Sequence, residues 1–381
     1  MSWSPGILSD LVLFQRGFDI TKAEQKDGSI PVISSSGIQS YHSEAKVKGP
    51  GVVIGRKGTL GSTYFTGTDY WPHDTTLWSK DFRGNDPRYV YYFLKTLNLK
   101  SFDTGNSNPT LNRNHIHGME IQIPDHKTQL AISSILVPYD DLIANNARRL
   151  ELLEQSARLL FEEWFVRLRY PGHESDKIID GTPIGWERRP LQEFCSRITD
   201  GSHSSPVTTE SGTPMASVKD MREWDFDMSE CRQISEENYV QLVRNDCKPL
   251  KGDILIAKDG ANLNKHTFLV TNDREMVVLS SIAIIRPSNG VNAEYLMSML
   301  KSREVSARIK RNVSGAAIPR IILKDFKRLP VLMPEPRIQD AWQRTCGPIN
   351  DLCRSLFRAN TKLVKARDLL LPRLMDSRIK V

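Results

Sequence analysis

Val52-Val53-Ile54-Gly55-Arg56-Lys57-Gly58-Thr59 and Ile254-Leu255-Ile256-Ala257-Lys258-Asp259-Gly260-Ala261 are two versions of one motif, 202 residues apart (52 to 254). In each, an apolar run meets a basic residue and, two positions later, a glycine. Such a run bounded by a turn reads as a short buried strand. Towards the start, Trp3, Leu8 and Leu11 recur as Trp186, Leu191 and Phe194, a shift of 183 (3 to 186). Towards the end, Pro109, Leu111, Pro124, Gln129 and Leu142 recur as Pro319, Ile321, Pro334, Gln339 and Leu352, a shift of 210 (109 to 319). The order is kept while the shift grows. The chain is therefore an internal duplication whose second copy carries insertions.

Both copies use the same grammar. Runs such as Ile30-Pro31-Val32-Ile33, Ser62-Thr63-Tyr64-Phe65 and Thr76-Leu77-Trp78 alternate with Gly, Pro, Ser and Asn turns, as do Thr267-Phe268-Leu269-Val270 and Ile282-Ala283-Ile284-Ile285 in the second copy. Short helices are expected at 89–95 and 293–301. Each copy then closes on a long helix. Residues 140–169 contain no Pro or Gly. Ile143, Ala147, Leu150, Ala157, Phe161 and Trp164 form an apolar seam with Glu154 as its one poor fit. In the second copy the seam is Ile349, Leu352, Leu356, Ala359, Leu363, Ala366 and Leu370. Seams of this kind need a partner helix, and two at equivalent places point to antiparallel packing on each other. The expected fold class is α+β: two mixed α/β domains separated by two long antiparallel helices, with pseudo-two-fold duplication. The expected boundaries are domain 1 at 1–138, helix 1 at 139–169, a linker at 170–185, domain 2 at 186–345 and helix 2 at 346–381.

The 381 residues suit two or three domains. Hydrophobic and charged fractions of 39% and 25% are those of a globular protein. The net charge of +7 suits a polyanionic partner without requiring one. The five cysteines, Cys195, Cys231, Cys247, Cys346 and Cys353, include no C-x-x-C pair, which disfavours a disulfide framework and a zinc ribbon and favours a reducing cytoplasm. No signal peptide and no membrane span are expected.

Catalytic motifs are missing. No Pro-Pro dipeptide supplies the [DN]-P-P-[YFW] strand end of an N6-adenine methyltransferase; Asp86-Pro87-Arg88-Tyr89 reads as a turn before a helix. There is no Walker loop. Gly55, Gly58 and Gly61 have the wrong spacing for a dinucleotide fingerprint. Pro124-Asp125-His126-Lys127 has no partner carboxylate preceding it on a clear strand, as a nuclease would need, and His115 and His117 read as a polar loop before a metal site. The chain reads as a binding protein, with no metal and no catalytic residue.

Polar and basic turns could supply the binding. In copy one these carry Ser35 and Ser36; Arg56, Lys57 and Thr59; His73 and Thr75; and Asn106, Asn108 and Thr110. In copy two they carry Asp200, Ser202 and His203; Lys258 and Asn262; Asn264 and Lys265; and Ser314 and Arg320. Arg and Lys donate to guanine edges or phosphate, Asn pairs with adenine, and glycine admits close backbone approach.

At this point the chain resembles the specificity subunit of type I restriction-modification systems. Trp3…Leu8 and Trp186…Leu191 open each unit. Thr199-Asp200-Gly201-Ser202-His203 before Gly212-Thr213-Pro214 is similar to the family's D-G-T-H…G-x-P pattern, and Lys251-Gly252-Asp253-Ile254-Leu255-Ile256 to its K-G-D-I-L segment. Leu160-Phe161-Glu162-Glu163-Trp164-Phe165 and Leu369-Leu370-Leu371-Pro372-Arg373-Leu374 resemble its helix ends. Copy one departs: Gly17-Phe18-Asp19-Ile20 stands for the D-G-T-H turn and Ser29-Ile30-Pro31 for G-x-P.

The resemblance implies that each copy reads one half of a split, asymmetric site in double-stranded DNA, and that the helices form a coiled coil setting the gap. Residues 140–168 as helix span roughly 43 Å at 1.5 Å per residue, against about 34 Å between successive major-groove faces. It further implies two modification (methyltransferase) subunits and restriction (translocase and nuclease) subunits as partners. S-adenosylmethionine, ATP and Mg²⁺ would sit on those partners and no cofactor on this chain. Competing readings are a stand-alone DNA-modifying enzyme, a protein-binding scaffold and an RNA-binding duplicated domain.

Overall fold

A computed structural model describes residues 3–102, 110–260, 263, 265–311 and 319–381. The chain divides into two compact units, Met1–Asn145 with Thr361–Val381, and Asn146–Asn360. The first runs β1 (Trp3–Ile7), α1 (Leu8–Leu11), β2 (Leu13–Arg16), β3 (Ile30–Ser34), β4 (Gly37–His42), β5 (Gly51–Gly55), β6 (Thr63–Thr66), β7 (Trp71–Pro72), β8 (Thr76–Asp81), α2 (Pro87–Thr96), α3 (Arg113–His117), β9 (Glu120–Pro124) and the start of α4 (His126–Phe161). The second holds β10 (Ile178–Ile179), β11 (Thr182–Pro183), β12 (Glu187–Pro190), β13 (Cys195–Asp200), β14 (Thr213–Ala216), β15 (Arg232–Ile234), α5 (Glu236–Arg244), β16 (Ile254–Ala257), β17 (Thr267–Leu269), β18 (Val277–Val278), β19 (Ile282–Pro287), α6 (Ala293–Lys301), α7 (Arg303–Arg311), α8 (Leu323–Arg328), β20 (Pro330–Met333) and most of α9 (Pro336–Met375).

The duplication is literal in the sheets. The first unit has sheets ordered β1-β9, β2-β8-β5-β6 and β4-β3-β7; the second has β12-β20, β13-β19-β16-β17 and β15-β14-β18. The apolar runs of the repeated motif are β5 and β16, inner strands buried along their whole length. The growth in shift from 183 to 202 falls between β14 and β16, where the second copy adds a long loop (217–231) and α5. Helix α7 accounts for part of the later growth.

The recurrence of Pro and Gln also has a physical reason. Gln129 accepts from the Asp86 amide (2.9 Å) and donates to the Pro124 carbonyl (3.0 Å). Gln339 does the same with Asn292 (2.9 Å) and Pro334 (2.7 Å). Asp86 and Asn292 are the side-chain N-caps of α2 and α6. One buried amide thus ties a helix start to a strand end in each unit, satisfying groups that burial would otherwise leave costly.

The long helices are longer than expected. Helix α4 begins at His126 and passes through Pro138; α9 begins at Pro336 and passes through Gly347-Pro348. A proline costs a helix one hydrogen bond, but here the apolar packing on either side holds the helix together. Ile132 and Leu136 of α4 are buried in the first core with Leu8, Leu11 and Tyr89, and so are Leu371, Leu374 and Met375 of α9. The last residues therefore belong to the first unit's core, not to a free-standing spacer. In the second unit, Phe161, Trp164, Trp342, Cys346 and Cys353 share one core. There the helices run antiparallel: Asn146 bonds Asn360 (3.0 Å), while Phe161 packs edge-on against Trp342 (5.6 Å).

The seams shift by a residue at two points. Asn146 is buried where Ala147 was expected, and Cys353 where Leu352 was expected. Glu154, the misfit, accepts a hydrogen bond from the Trp224 indole. The helix ends in a π-turn, Glu162–Val166. The expected linker is ordered: Tyr170 is buried against Trp186 (5.0 Å) and donates to Asp176 (2.9 Å), and β10 pairs with β11. Glycines and prolines here make a structured hairpin within the second unit.

Candidate nucleic-acid interface

One backbone frame recurs at the end of β5 and β16. Gly58 (φ +75°) and Gly260 (φ +77°) turn the chain through the left-handed region that glycine tolerates. The Arg56 amide donates to Thr75 O (2.8 Å) and the Lys258 amide to Ser281 O (3.0 Å). The Leu111 amide donates to Arg56 O (2.9 Å) and the Ile321 amide to Lys258 O (3.0 Å). The hydroxyls match too: Thr75 accepts from the Ser35 amide (3.3 Å) and Ser281 from the Val218 amide (3.2 Å). A third segment joins from the end of β2 and β13. A Cβ on Gly17 would lie 2.1 Å from His73 O, and one on Gly201 2.0 Å from Val278 O. Gly17 and Gly201 are thus equivalent, which corrects the expected register: Arg16-Gly17, not Gly17-Phe18, stands where Asp200-Gly201 stands.

The first unit's turn collects around Asp74. Its carboxylate meets Arg16 (3.2 Å), His73 Nδ1 (3.0 Å) and Lys57 (3.9 Å). His73 also bonds Thr75 (3.0 Å), and a backbone bridge joins Lys57 to Thr110. Ser35 is buried and its carbonyl accepts from Ser62 (2.5 Å) and Tyr64 (3.3 Å). Ser36 bonds Ser34 (3.0 Å), and Thr59 is exposed beside them. Arg16 and Lys57 have side chains about half exposed (49% and 46%). Burial, and then the neighbouring Arg16, pull the Arg56 guanidinium below its ordinary pKa. This turn therefore offers accessible cations and hydroxyls.

The second unit's turn is an interior network. Lys258 (side chain 5% exposed) meets Asp200 at 3.2 Å and Asp259 at 3.7 Å, and Asp259 meets Arg320 at 3.2 Å. His203, largely exposed, lies 3.3 Å from Asp200. Ser202 is buried, its amide bonded to Val278 O (2.8 Å) and its hydroxyl to Ser204 O (2.9 Å). Lys265 is exposed. Asn106, Asn108, Asn262, Asn264 and Ser314 lie outside the described residues.

The structure thus brings most described candidates into two equivalent clusters. Sequence reasoning passed over Arg16, Asp74 and Asp259. Pairing Gly17 with Gly201 would have exposed Arg16. His117 serves the fold, its Nε2 accepting from the Phe14 amide (3.0 Å). Among the described residues, no cluster of three or more His, Cys, Asp or Glu is arranged for a metal, and no helix is long and apolar enough to cross a membrane.

Two copies of one α+β frame, each bearing a glycine-turned charged loop cluster and each holding stretches of long helix in its own core, define an internally duplicated α+β protein as the class. A family model described as the type I restriction modification DNA specificity domain matches residues 2–155. The chain is 23% identical over 310 residues to the MjaIX specificity subunit of Methanocaldococcus jannaschii (77% of this chain, 69% of that one). It is 21% identical over 327 residues to the HindI specificity subunit of Haemophilus influenzae (71% of each). Its fold matches the S subunit of a type I restriction-modification system from M. genitalium with a TM-score of 0.65, at 14% identity over 98% of this chain and 96% of that one. The chain is thus similar in sequence to type I restriction-modification specificity subunits, and similar in fold to one of them.

Proposed function

We propose that the chain is the sequence-reading subunit of a type I restriction-modification complex in the cytoplasm. Each unit reads one half of a bipartite, asymmetric site in double-stranded DNA. The chain itself does no chemistry. Two modification subunits methylate adenine at N6, and restriction subunits translocate and cut; S-adenosylmethionine, ATP and Mg²⁺ bind those partners.

The observation that carries this reading is the pair of equivalent turn clusters on one backbone frame with different side chains. A shared frame with divergent reading groups is what two different half-sites require. Cations at such turns position the duplex through phosphate or donate to guanine edges, while neutral donors and carboxylates discriminate other base edges. Mapping methylated adenines in cells with and without this gene tests it. The expected result is loss of one bipartite motif on deletion. An unchanged map, or methylation by the purified chain alone with DNA, S-adenosylmethionine and Mg²⁺, would overturn it.

A further inference from the structure

We propose that Lys258 is a positioning residue, which locks three turns of the second unit together so that one half-site is discriminated, while adding no charge at the DNA backbone. This rests on the reading of the chain as a DNA-recognition subunit. As a basic residue before a glycine turn, Lys258 would be taken for a phosphate contact like Lys57. The geometry points elsewhere. Its ammonium is held inside by Asp200 (3.2 Å) and Asp259 (3.7 Å). Those carboxylates belong to different turns. Asp200 begins the turn that carries Ser202 and His203; Asp259 continues to Arg320, beside which Gly260 N bonds Pro319 O (2.8 Å). Lys258 O in turn accepts from Ile321 (3.0 Å). Side chain and backbone of one residue thus join turns 200–204, 258–260 and 319–321. A buried ammonium flanked by two carboxylates is locally balanced or negative, so it has no surplus charge with which to release counterions from a phosphate.

Among the described residues the first unit has no equivalent lock. Its position 56 is an arginine, and its cations Arg16 and Lys57 share Asp74 at the surface. The two lysines therefore behave differently towards salt. Neutralising a phosphate contact flattens the dependence of log K on log salt by about 0.9 per contact and leaves base preference alone. Removing a positioning residue leaves the slope and relaxes preference.

The test uses the full chain assembled with its modification subunits and duplexes altered in one half-site at a time. Expected for Lys258→Met, and for the near-isosteric Asp200→Asn should Lys258→Met fail to fold, is an unchanged salt slope. Discrimination at one half-site should fall about tenfold or more, with the other half-site read as before. Lys57→Met should lower the slope by about 0.9 with both preferences kept. A lowered slope with intact discrimination in Lys258→Met, or normal reading of both half-sites by Asp200→Asn, overturns the assignment. Loss of both half-sites together marks a merely structural role and overturns it too. A wild-type complex with no bipartite preference refutes the DNA-reading role itself.

Discussion

The turn after β5 and the turn after β16 share backbone hydrogen bonds, a left-handed glycine and a hydroxyl bond to a neighbouring amide, yet they place their charges oppositely. In the first unit the cations stand outside and share one half-shielded carboxylate. In the second one cation, Lys258, is inside between two carboxylates, and the exposed Arg320 shares one of them. Backbone geometry is thus inherited by both copies, while the electrostatics are set locally by a few side chains. Exposed pairs are screened and contribute little; a buried pair is costly to break because one charge is left stranded.

This difference predicts a graded set of responses. Lys258→Met takes the buried cation from Asp200, leaving Asp259 to Arg320, and should cost the second unit about 3–5 kcal/mol. Peptide-resolved hydrogen exchange should show faster exchange in 195–204 and 254–260, with 13–16 and 51–55 unchanged. The amide clips sharpen the comparison because they are alike. Gln129→Leu and Gln339→Leu each leave a buried amide and carbonyl without their partner, about 1–3 kcal/mol per group, so the two variants should destabilise their own units by similar amounts. Unequal losses would mean the frames are less equivalent than their hydrogen bonds. Arg16→Met breaks only two pairs at the surface, with Asp74 and Asp19, and should cost under about 1 kcal/mol, within a degree or two of the wild-type thermal midpoint.

The smallest effect is a pH term. Burial, and then Arg113, hold His117 below the ordinary histidine range. Between that lowered value and about 6.5, the unfolded chain binds a proton that the folded chain does not. Stability should therefore fall as pH drops through this window. His117→Gln should flatten that part of the profile. Position 327, the equivalent 210 residues on, is lysine, so the term belongs to the first unit.

Much of this frame was legible in the sequence because it is written in residue types with one main use. The runs of β5 and β16, the recurring Pro and Gln, and the apolar helix stripe all announced themselves. The helix starts did not, since Pro138 and Pro348 read locally as breaks; only their recurrence 210 residues apart marks them as part of one element. The seams slipped because a buried Asn146 and Cys353 look less apolar than the neighbours that face water. The site was legible as a set of turns but not as a circuit. Arg16 and Asp74 are 58 residues apart, and nothing in either neighbourhood reveals that the sheet order brings them together. Equally, Lys258 and Lys57 look alike on paper, and only burial separates them.

The most direct test of the shared frame with separate reading is a methylation map from two strains, one carrying Arg16→Ala and the other carrying Asp200→Asn, at equivalent positions of the two frames. The account predicts that the first substitution relaxes methylation through one half of the motif and the second through the opposite half. Changes in the same half from both, or a uniform loss that ignores the halves, would contradict it.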